Sequence, residues 1–183
     1  MGTGVVIFSP RLVMRPFLMS DCDQVLEYQS NPDVVRFVPW PVRDAAMVAD
    51  AITRSLPQDH FEVEGDYLSL ALVRAEDDQL IGQMNAMFVS AKDQCADIGY
   101  VLNPRFTNCG YASEAARALI NHLFDTALIR RVTATLDERN VASRRVAERL
   151  GLRREALFFK DRLFNGEWTS TLIYATLRDE WVR

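Results

Sequence analysis

The sequence predicts a mixed α/β domain built on one sheet, and three observations carry that prediction. Seven stretches have strand length and alternate or run apolar, while four others repeat their apolar residues at helical spacing. The two kinds are interleaved along 183 residues with no repeat, low-complexity tract or linker that would divide them, so residues 1–183 read as one domain. Two strand-to-helix junctions, one at Thr107-Asn108-Cys109-Gly110 and one at Asp137-Glu138-Arg139-Asn140, are rich in small and polar residues. A helix start leaves amides unpaired and carries partial positive charge, so such junctions suit phosphate.

The elements follow in order. Arg11 to Arg15 alternates and ends at Pro16, as a first strand should. Ser20-Asp21 opens a short helix to about Tyr28, which Asn31-Pro32 breaks. Phe37-Val38-Pro39-Trp40-Pro41 is excluded from helix by its two prolines, and its aromatics suit either a ligand wall or a loop lid on the core. Asp44 to Leu56 is a second helix, and Pro57 to Asp66 a polar loop. Tyr67 to Val73 and Leu80 to Val89 are strands joined by Ala75-Glu76-Asp77-Asp78, with Gly82 marking a bulge. Gln94 to Leu102 is the next strand, stopped by Asn103-Pro104.

Gly110 to Ala127 reads as a long helix with Ala115, Ala116, Leu119, Ile120 and Leu123 on one stripe. Arg131 to Leu136 alternates, and Val141 to Leu150 is a helix closed by Gly151. Arg153 to Phe159 and Trp168 to Leu177 form a final pair turned at Asn165-Gly166.

Composition narrows the function. Hydrophobic content of 49% and charged content of 25% are those of a soluble globular protein. No apolar run approaches the roughly 20 residues that cross a bilayer, and no cleavable leader is visible, so cytoplasm is the expected compartment and no membrane partner is expected. Three cysteines and two histidines, without ligand spacing, offer no metal site. A net charge of −4 argues against nucleic-acid binding. The charge is uneven: eight arginines stand between Arg130 and Arg154 against Asp137, Glu138 and Glu148, giving +5 there and −9 elsewhere. That division suits an anionic ligand beside a cationic co-substrate, or simply solvated helix faces.

The run from Pro104 to Ala115 resembles the acetyl-CoA-binding segment of the GNAT N-acetyltransferase superfamily, whose pattern is Arg/Gln-x-x-Gly-x-Gly/Ala. Asn140-Val141-Ala142-Ser143, Arg149-Leu150-Gly151-Leu152 and Ala96-Asp97-Ile98-Gly99-Tyr100 are similar to three further signatures of that family. The opening Arg11-Leu12-x-x-Arg15-Pro16 resembles its RimJ/RimL-like branch of ribosomal-protein N-terminal acetyltransferases. The resemblance covers essentially the whole chain. It implies a mostly antiparallel mixed sheet of about seven strands, splayed at the cofactor cleft and flanked by about four helices.

The resemblance also implies roles. Ile98, Gly99, Tyr100, Val101 and Leu102 would offer backbone to the pantetheine arm, with an amide near Tyr100 or Val101 stabilising the oxyanion. Arg105, Thr107, Asn108, Cys109, Gly110, Tyr111 and Ala112 would wrap the pyrophosphate. Asn108 departs from the pattern by replacing the first glycine, and Asn tolerates positive φ. Asn140 has two readings, helix cap and pantetheine partner. Ser143 would protonate the departing thiolate, and Arg144 and Arg145 would fork onto the 3′-phosphate. Asp97 is the candidate base, and Tyr100 a further catalytic candidate in the cleft. Tyr28, Phe37 and Trp40 fall where relatives shape the acceptor pocket.

The implied reaction is acetyl transfer from acetyl-CoA to a primary amine, a protein or peptide N-terminus ahead of a polyamine or aminoglycoside-like molecule. A non-catalytic acetyl-CoA sensor is the other class, and a homodimer is compatible with either.

Overall fold

The computed structural model describes residues 4–126 and 128–182. Its centre is an eight-stranded sheet in the order β1-β2-β3-β4-β5-β6-β8-β7. The strands are β1 (Ile7–Phe8), β2 (Leu12–Pro16), β3 (Tyr67–Arg74), β4 (Gln79–Ser90), β5 (Cys95–Leu102), β6 (Arg131–Asp137), β7 (Arg153–Phe164) and β8 (Glu167–Leu177). The helices are α1 (Cys22–Gln29), α2 (Pro32–Val35), α3 (Ala45–Ser55), α4 (Tyr111–Thr126) and α5 (Val141–Arg149). The expected helix end at Ala127 lies outside the described residues.

Every neighbouring pair is antiparallel except β5 and β6, which run parallel. Alternation gives the central strands β3 and β4 two buried faces, and the sheet carries two cores. On one face Leu70, Leu72, Met84, Ala86 and Ile98 pack against Ala115, Leu119 and Ile120 of α4 and Ala147 of α5. On the other, Ala71, Val73, Leu80 and Val101 meet Val25 and Tyr28 of α1 and Val48 and Ile52 of α3.

The mixed α/β class and the order of the long elements match the sequence reading, but among the described residues eight strands and five α-helices stand where about seven and about four were expected. The added strand is β1, two residues folded back on β2. The added helix is α2. Asn31-Pro32 does end α1, but Asn31 also caps the next turn, its Oδ1 accepting from the Asp33 N–H at 3.0 Å with proline at the first helical position. β7 runs past the expected stop at Phe159 through a register shift between Phe158 and Arg162. There the Lys160 N–H donates to Ser170 Oγ and the Thr171 N–H to Asp161 Oδ1, so side chains replace ladder partners.

Two irregularities shape the middle of the sheet. Leu72 pairs with Gly82 but Val73 with Leu80, so Ile81 is an extra residue beside the glycine that marked a bulge in the sequence. The parallel pairing of β5 with β6 covers only Cys95↔Arg131, Ala96↔Val132 and Asp97↔Thr133. β5 then continues to Leu102 along β4, and β6 to Asp137 along β8, so the two strands part after Asp97.

Gly82 sits where that parting is held. A Cβ there would collide with the Val101 carbonyl and stand 3.0 Å from Leu102 Cα, both backbone atoms of β5. We expect Gly82→Ala to lower stability by about 1–3 kcal/mol, as overpacking against rigid backbone does. A melting curve reads this as a fall of roughly 2–4 °C per kcal/mol at this chain length.

Candidate active site

A cleft of about 420 Å³ opens on the α4/α5 face where β5 and β6 part. Its walls are Tyr100, Val101 and Leu102 of β5, the turn from Pro104 to Ser113, and the start of α5 from Asn140 to Arg149. Asp33 and Val34 of α2 line it too.

The β5 wall is unpaired backbone. The Gln94 carbonyl accepts from Arg130 and Arg131, so it points to the β6 side, while the Asn103 N–H donates to Ile81 on β4. Successive residues of a strand aim their peptide groups to opposite sides. Ile98, Tyr100 and Leu102 therefore face the gap. Val101 turns its carbonyl to Gly82, so of the two amides expected from the sequence, alternation aims that of Tyr100 and not that of Val101 at the gap.

The turn before α4 offers donors of another kind. Asn108 has φ 63° and Gly110 φ 83°, two left-handed residues around Cys109. Asparagine thus adopts the conformation that the missing glycine would supply. Glu114 N–H closes the first turn of α4 on the Gly110 carbonyl, which leaves the amides of Tyr111, Ala112 and Ser113 without intrahelical partners at the cleft wall.

Arg11 fixes this turn. It donates to Glu114 Oε2 through Nε at 2.7 Å and to the Cys109 carbonyl through Nη1 at 3.2 Å, and stacks 4.5 Å from the Tyr111 ring. Burial works to raise the Glu114 carboxyl, but hydrogen bonds from Ser9 and Arg11 outweigh it and hold it below its ordinary range.

On α5, Asn140 is a helix cap, its Oδ1 accepting from the Ser143 N–H at 3.0 Å. Its amide nitrogen is left to the cleft that Asn140 lines. Ser143 faces Tyr100, whose hydroxyl reaches the Ser143 carbonyl at 3.5 Å. Burial, only partly opposed by Ser143, pushes the Tyr100 hydroxyl up to about 12. Arg145 and Arg149 line the cleft, and Arg144 Nε is buried with no partner. Of the sequence's arginine cluster, Arg131, Arg139 and Arg153 are spent on Glu155, Asp137, Glu167 and Glu180. The cationic character belongs to α5.

Other sequence candidates lie elsewhere. Arg105 pairs with Glu27 at 3.3 Å, and Cys109 is exposed with its thiol against the Thr107 carbonyl. Ile98 has its side chain in the core and offers only backbone to the gap.

Asp97 shares a face with Gly99 and Val101, opposite to Tyr100. It accepts from Thr133 Oγ1 at 2.6 Å and Thr135 Oγ1 at 2.9 Å. Burial raises this carboxyl above its ordinary value, and the threonine hydroxyls only moderate the rise. Trp40 lines a second cleft of about 230 Å³ on this face, between the sheet and α1 and α3. Tyr28 is fully buried behind that cleft, its hydroxyl donating to Gln83 Oε1 at 3.0 Å, so its link to the cleft runs through Gln83. Phe37 lies against the far end of β6 with Thr135 and Asp137.

Sequence reasoning missed Arg149 as a cleft residue and Arg11 as the brace of the turn. Both stood inside family-like signatures, but their direction depends on tertiary contacts that no spacing encodes.

Residues 11–153 match the family described as acetyltransferase (GNAT) domain, and the chain belongs to that family. It is an acetyl-CoA-dependent N-acetyltransferase. It is 32% identical over 175 residues to the uncharacterized N-acetyltransferase YnaD of Bacillus subtilis (strain 168), covering 96% of this chain and 98% of that one. A GNAT-family acetyltransferase crystal structure from Bacillus anthracis superposes with TM-score 0.86 at 29% identity, covering 96% of this chain and all of that one. The fold also matches RimL, a ribosomal L7/L12 α-N-protein acetyltransferase solved with coenzyme A, at TM-score 0.79 and 21% identity over 94% and 98% of the two chains.

Asn108 gives a direct test of the turn. Asn108→Gly is expected to keep CoA binding, and Asn108→Val to cost about 1–2 kcal/mol of strain at positive φ and to weaken CoA. Calorimetric titration of both variants reads the difference.

Proposed function

We propose that the α4/α5 cleft binds acetyl-CoA and that an amine attacks its thioester from the opposite face of the sheet. The observation that carries this reading is the end of β5–β6 pairing after Asp97↔Thr133, which leaves a gap between a donor-lined cleft and a carboxylate. The unpaired peptide groups of Ile98, Tyr100 and Leu102 suit the amides of a pantetheine arm. The free amides from Tyr111 to Ser113 suit the pyrophosphate, and Arg144, Arg145 and Arg149 the 3′-phosphate.

Asp97 takes a proton from the incoming ammonium, directly or through water, and the neutral amine attacks the acetyl carbon. The Tyr100 amide stabilises the resulting oxyanion. Collapse breaks the carbon–sulfur bond; the nitrogen of the intermediate gives up its second proton to water, and Ser143 Oγ passes a proton to the thiolate and regains one from water. The Tyr100 hydroxyl, protonated throughout the physiological range and in contact with the Ser143 carbonyl, steadies the start of α5.

For the acceptor we favour a peptide or protein α-amine over a polyamine or aminoglycoside-like amine. The RimL likeness and the opening Arg11-Leu12-x-x-Arg15-Pro16 support that choice.

Ser143→Ala is expected to lower turnover about 10²-fold or more with little change in CoA affinity, the range of a lost general acid. Unchanged turnover removes the role. Asp97→Asn is expected to abolish the acidic limb of the pH–rate profile, which lies above the ordinary carboxylate pKa because burial raises Asp97. A thiol-release assay from pH 5 to 9 measures both variants. Arg144→Ala with Arg145→Ala should weaken CoA more than dephospho-CoA, and equal loss on both argues against 3′-phosphate contact.

A further inference from the structure

We propose that the cleft between the sheet and α1/α3 binds a carboxylate carried by the amine acceptor, with Arg43 and Trp40 as its donors. This rests on the acetyl-transfer reading and narrows the acceptor to an amino acid or peptide bearing a free carboxylate.

The lining has an excess of donors. Trp40 Nε1 is buried with no hydrogen-bond partner, and an indole N–H can only donate. Beside it, the half-buried Arg43 guanidinium stacks 5.0 Å from the Trp40 ring and gives Nη1 to Gln29 Oε1 at 2.7 Å. No carboxylate among the described residues forms an ion pair with it. Burial, the largest influence, pulls Arg43 below the ordinary arginine range, with Arg54 acting in the same direction. Arg54, by contrast, is paired with Asp50.

The neutral side chains point the same way. Gln83 Oε1 already accepts from Tyr28 and from Gln29 Nε2, and Asn85 Oδ1 from Ser69 Oγ. Gln83 Oε1 is filled by its two donors and Asn85 Oδ1 holds one, so what both side chains leave wholly free for the cleft is NH₂. A desolvated cation and three N–H donor groups, one indole and two carboxamides, favour an anion, and a planar guanidinium matches a carboxylate. A polyamine, which brings only donors and positive charge, would leave every one of these groups unpaired.

The cleft also leads to the reacting centre. Gln83 pairs with Val101, Asn85 with Gly99 and Met87 with Asp97, so these residues share one face of the sheet. Gly99 leaves that face open, since a Cβ there would meet nothing within 4 Å. The Tyr67 hydroxyl, which lines the cleft, is raised by burial and then by the charge of Asp97. An acceptor anchored by its carboxylate at Arg43 therefore lies along the face on which Asp97 waits for the ammonium.

The test compares Ala-Ala, Ala-Ala carboxamide, Ala-Asp carboxamide and spermidine in a thiol-release assay with acetyl-CoA. We expect the acids to have KM values about tenfold or more below the neutral amide, the worth of one charge-assisted hydrogen bond. Ala-Asp carboxamide separates a side-chain carboxylate from a terminal one. Arg43→Met should erase the preference without changing KM for acetyl-CoA, Arg43→Lys should fall between, and Trp40→Phe should raise KM for the acids several-fold. Equal use of acid and amide, preference for spermidine, or indifference to Arg43→Met overturns the proposal.

Calorimetric titration of N-acetyl-Ala-Ala and its carboxamide in the presence of CoA reads the same site without turnover. Tighter binding of the acid, lost in Arg43→Met, supports the proposal even if no amine is acetylated, an outcome that counts against the transferase reading alone. Equal binding of acid and amide refutes it.

Discussion

The parting of β5 from β6 is the constraint on which everything else depends. Each strand is held on its outer side along its length, β5 by the register with β4 from Cys95 to Leu102 and β6 by all seven residues paired with β8. Neither can swing inward to close the gap. Buried peptide groups do not go unpaired without cost, so the inner edges of the two strands need water or a ligand. A sheet that keeps such an opening between two fully paired neighbours is preorganised to accept a third extended chain of donors and acceptors. A pantetheine arm has that form. The bulge at Ile81 and the close approach of Gly82 to Val101 help set the angle at which β5 leaves.

The two faces of the sheet at this opening differ in chemistry. The α4/α5 face brings helix starts, two left-handed turn residues and Arg145 and Arg149 of one short helix. The α1/α3 face brings glutamine, asparagine and serine side chains, a tryptophan N–H, one desolvated guanidinium and the Asp97 carboxyl. Acyl transfer between two dissimilar molecules needs this separation, because each must reach the reacting atoms without crossing the other. Alternation along β5 produces it from adjacent residues: Tyr100 faces one side, while Gly99 and Val101 face the other. A one-residue slip would exchange the sides and destroy both sites at once.

Most of the long elements were legible in the sequence because their causes are local. Asn165-Gly166 fixes a hairpin, Asp44 and Asn140 cap helices, and the Thr107–Gly110 turn carries residues suited to positive φ. The family-like signatures located the cleft because they mark the same local geometry. What was not legible depends on where chains cross. Asn31-Pro32 reads as a break in sequence, and the Asn31 side chain makes it a helix start as well. The arginine cluster reads as one patch, yet ion pairs with Glu155, Asp137, Glu167 and Glu180 remove three of its eight members from the cleft. Tyr28 reads as an acceptor-pocket aromatic by position, but its burial makes it the support of Gln83. The donors of the second cleft come from the segment before α3 and from β4, some forty residues apart, and no spacing could have gathered them.

Asp97 shows how function is set against stability here. Its folded carboxyl titrates above its unfolded value, because burial penalises the charge more than Thr133 and Thr135 repay through hydrogen bonds. Sign follows directly: below the ordinary carboxylate range the group is neutral in both states and costs nothing. As pH rises through the raised folded value, the native chain must hold an ionised group it disfavours, and stability falls by that difference. An apolar or threonine side chain opposite Met87 would spare the sheet this cost and leave the β4–β5 register unchanged. A carboxylate placed at the last paired residue, one step before the strands separate, lowers stability at neutral pH, and in the proposed reaction that same group is the proton acceptor. That placement is the strongest physical argument that the gap serves chemistry as well as binding.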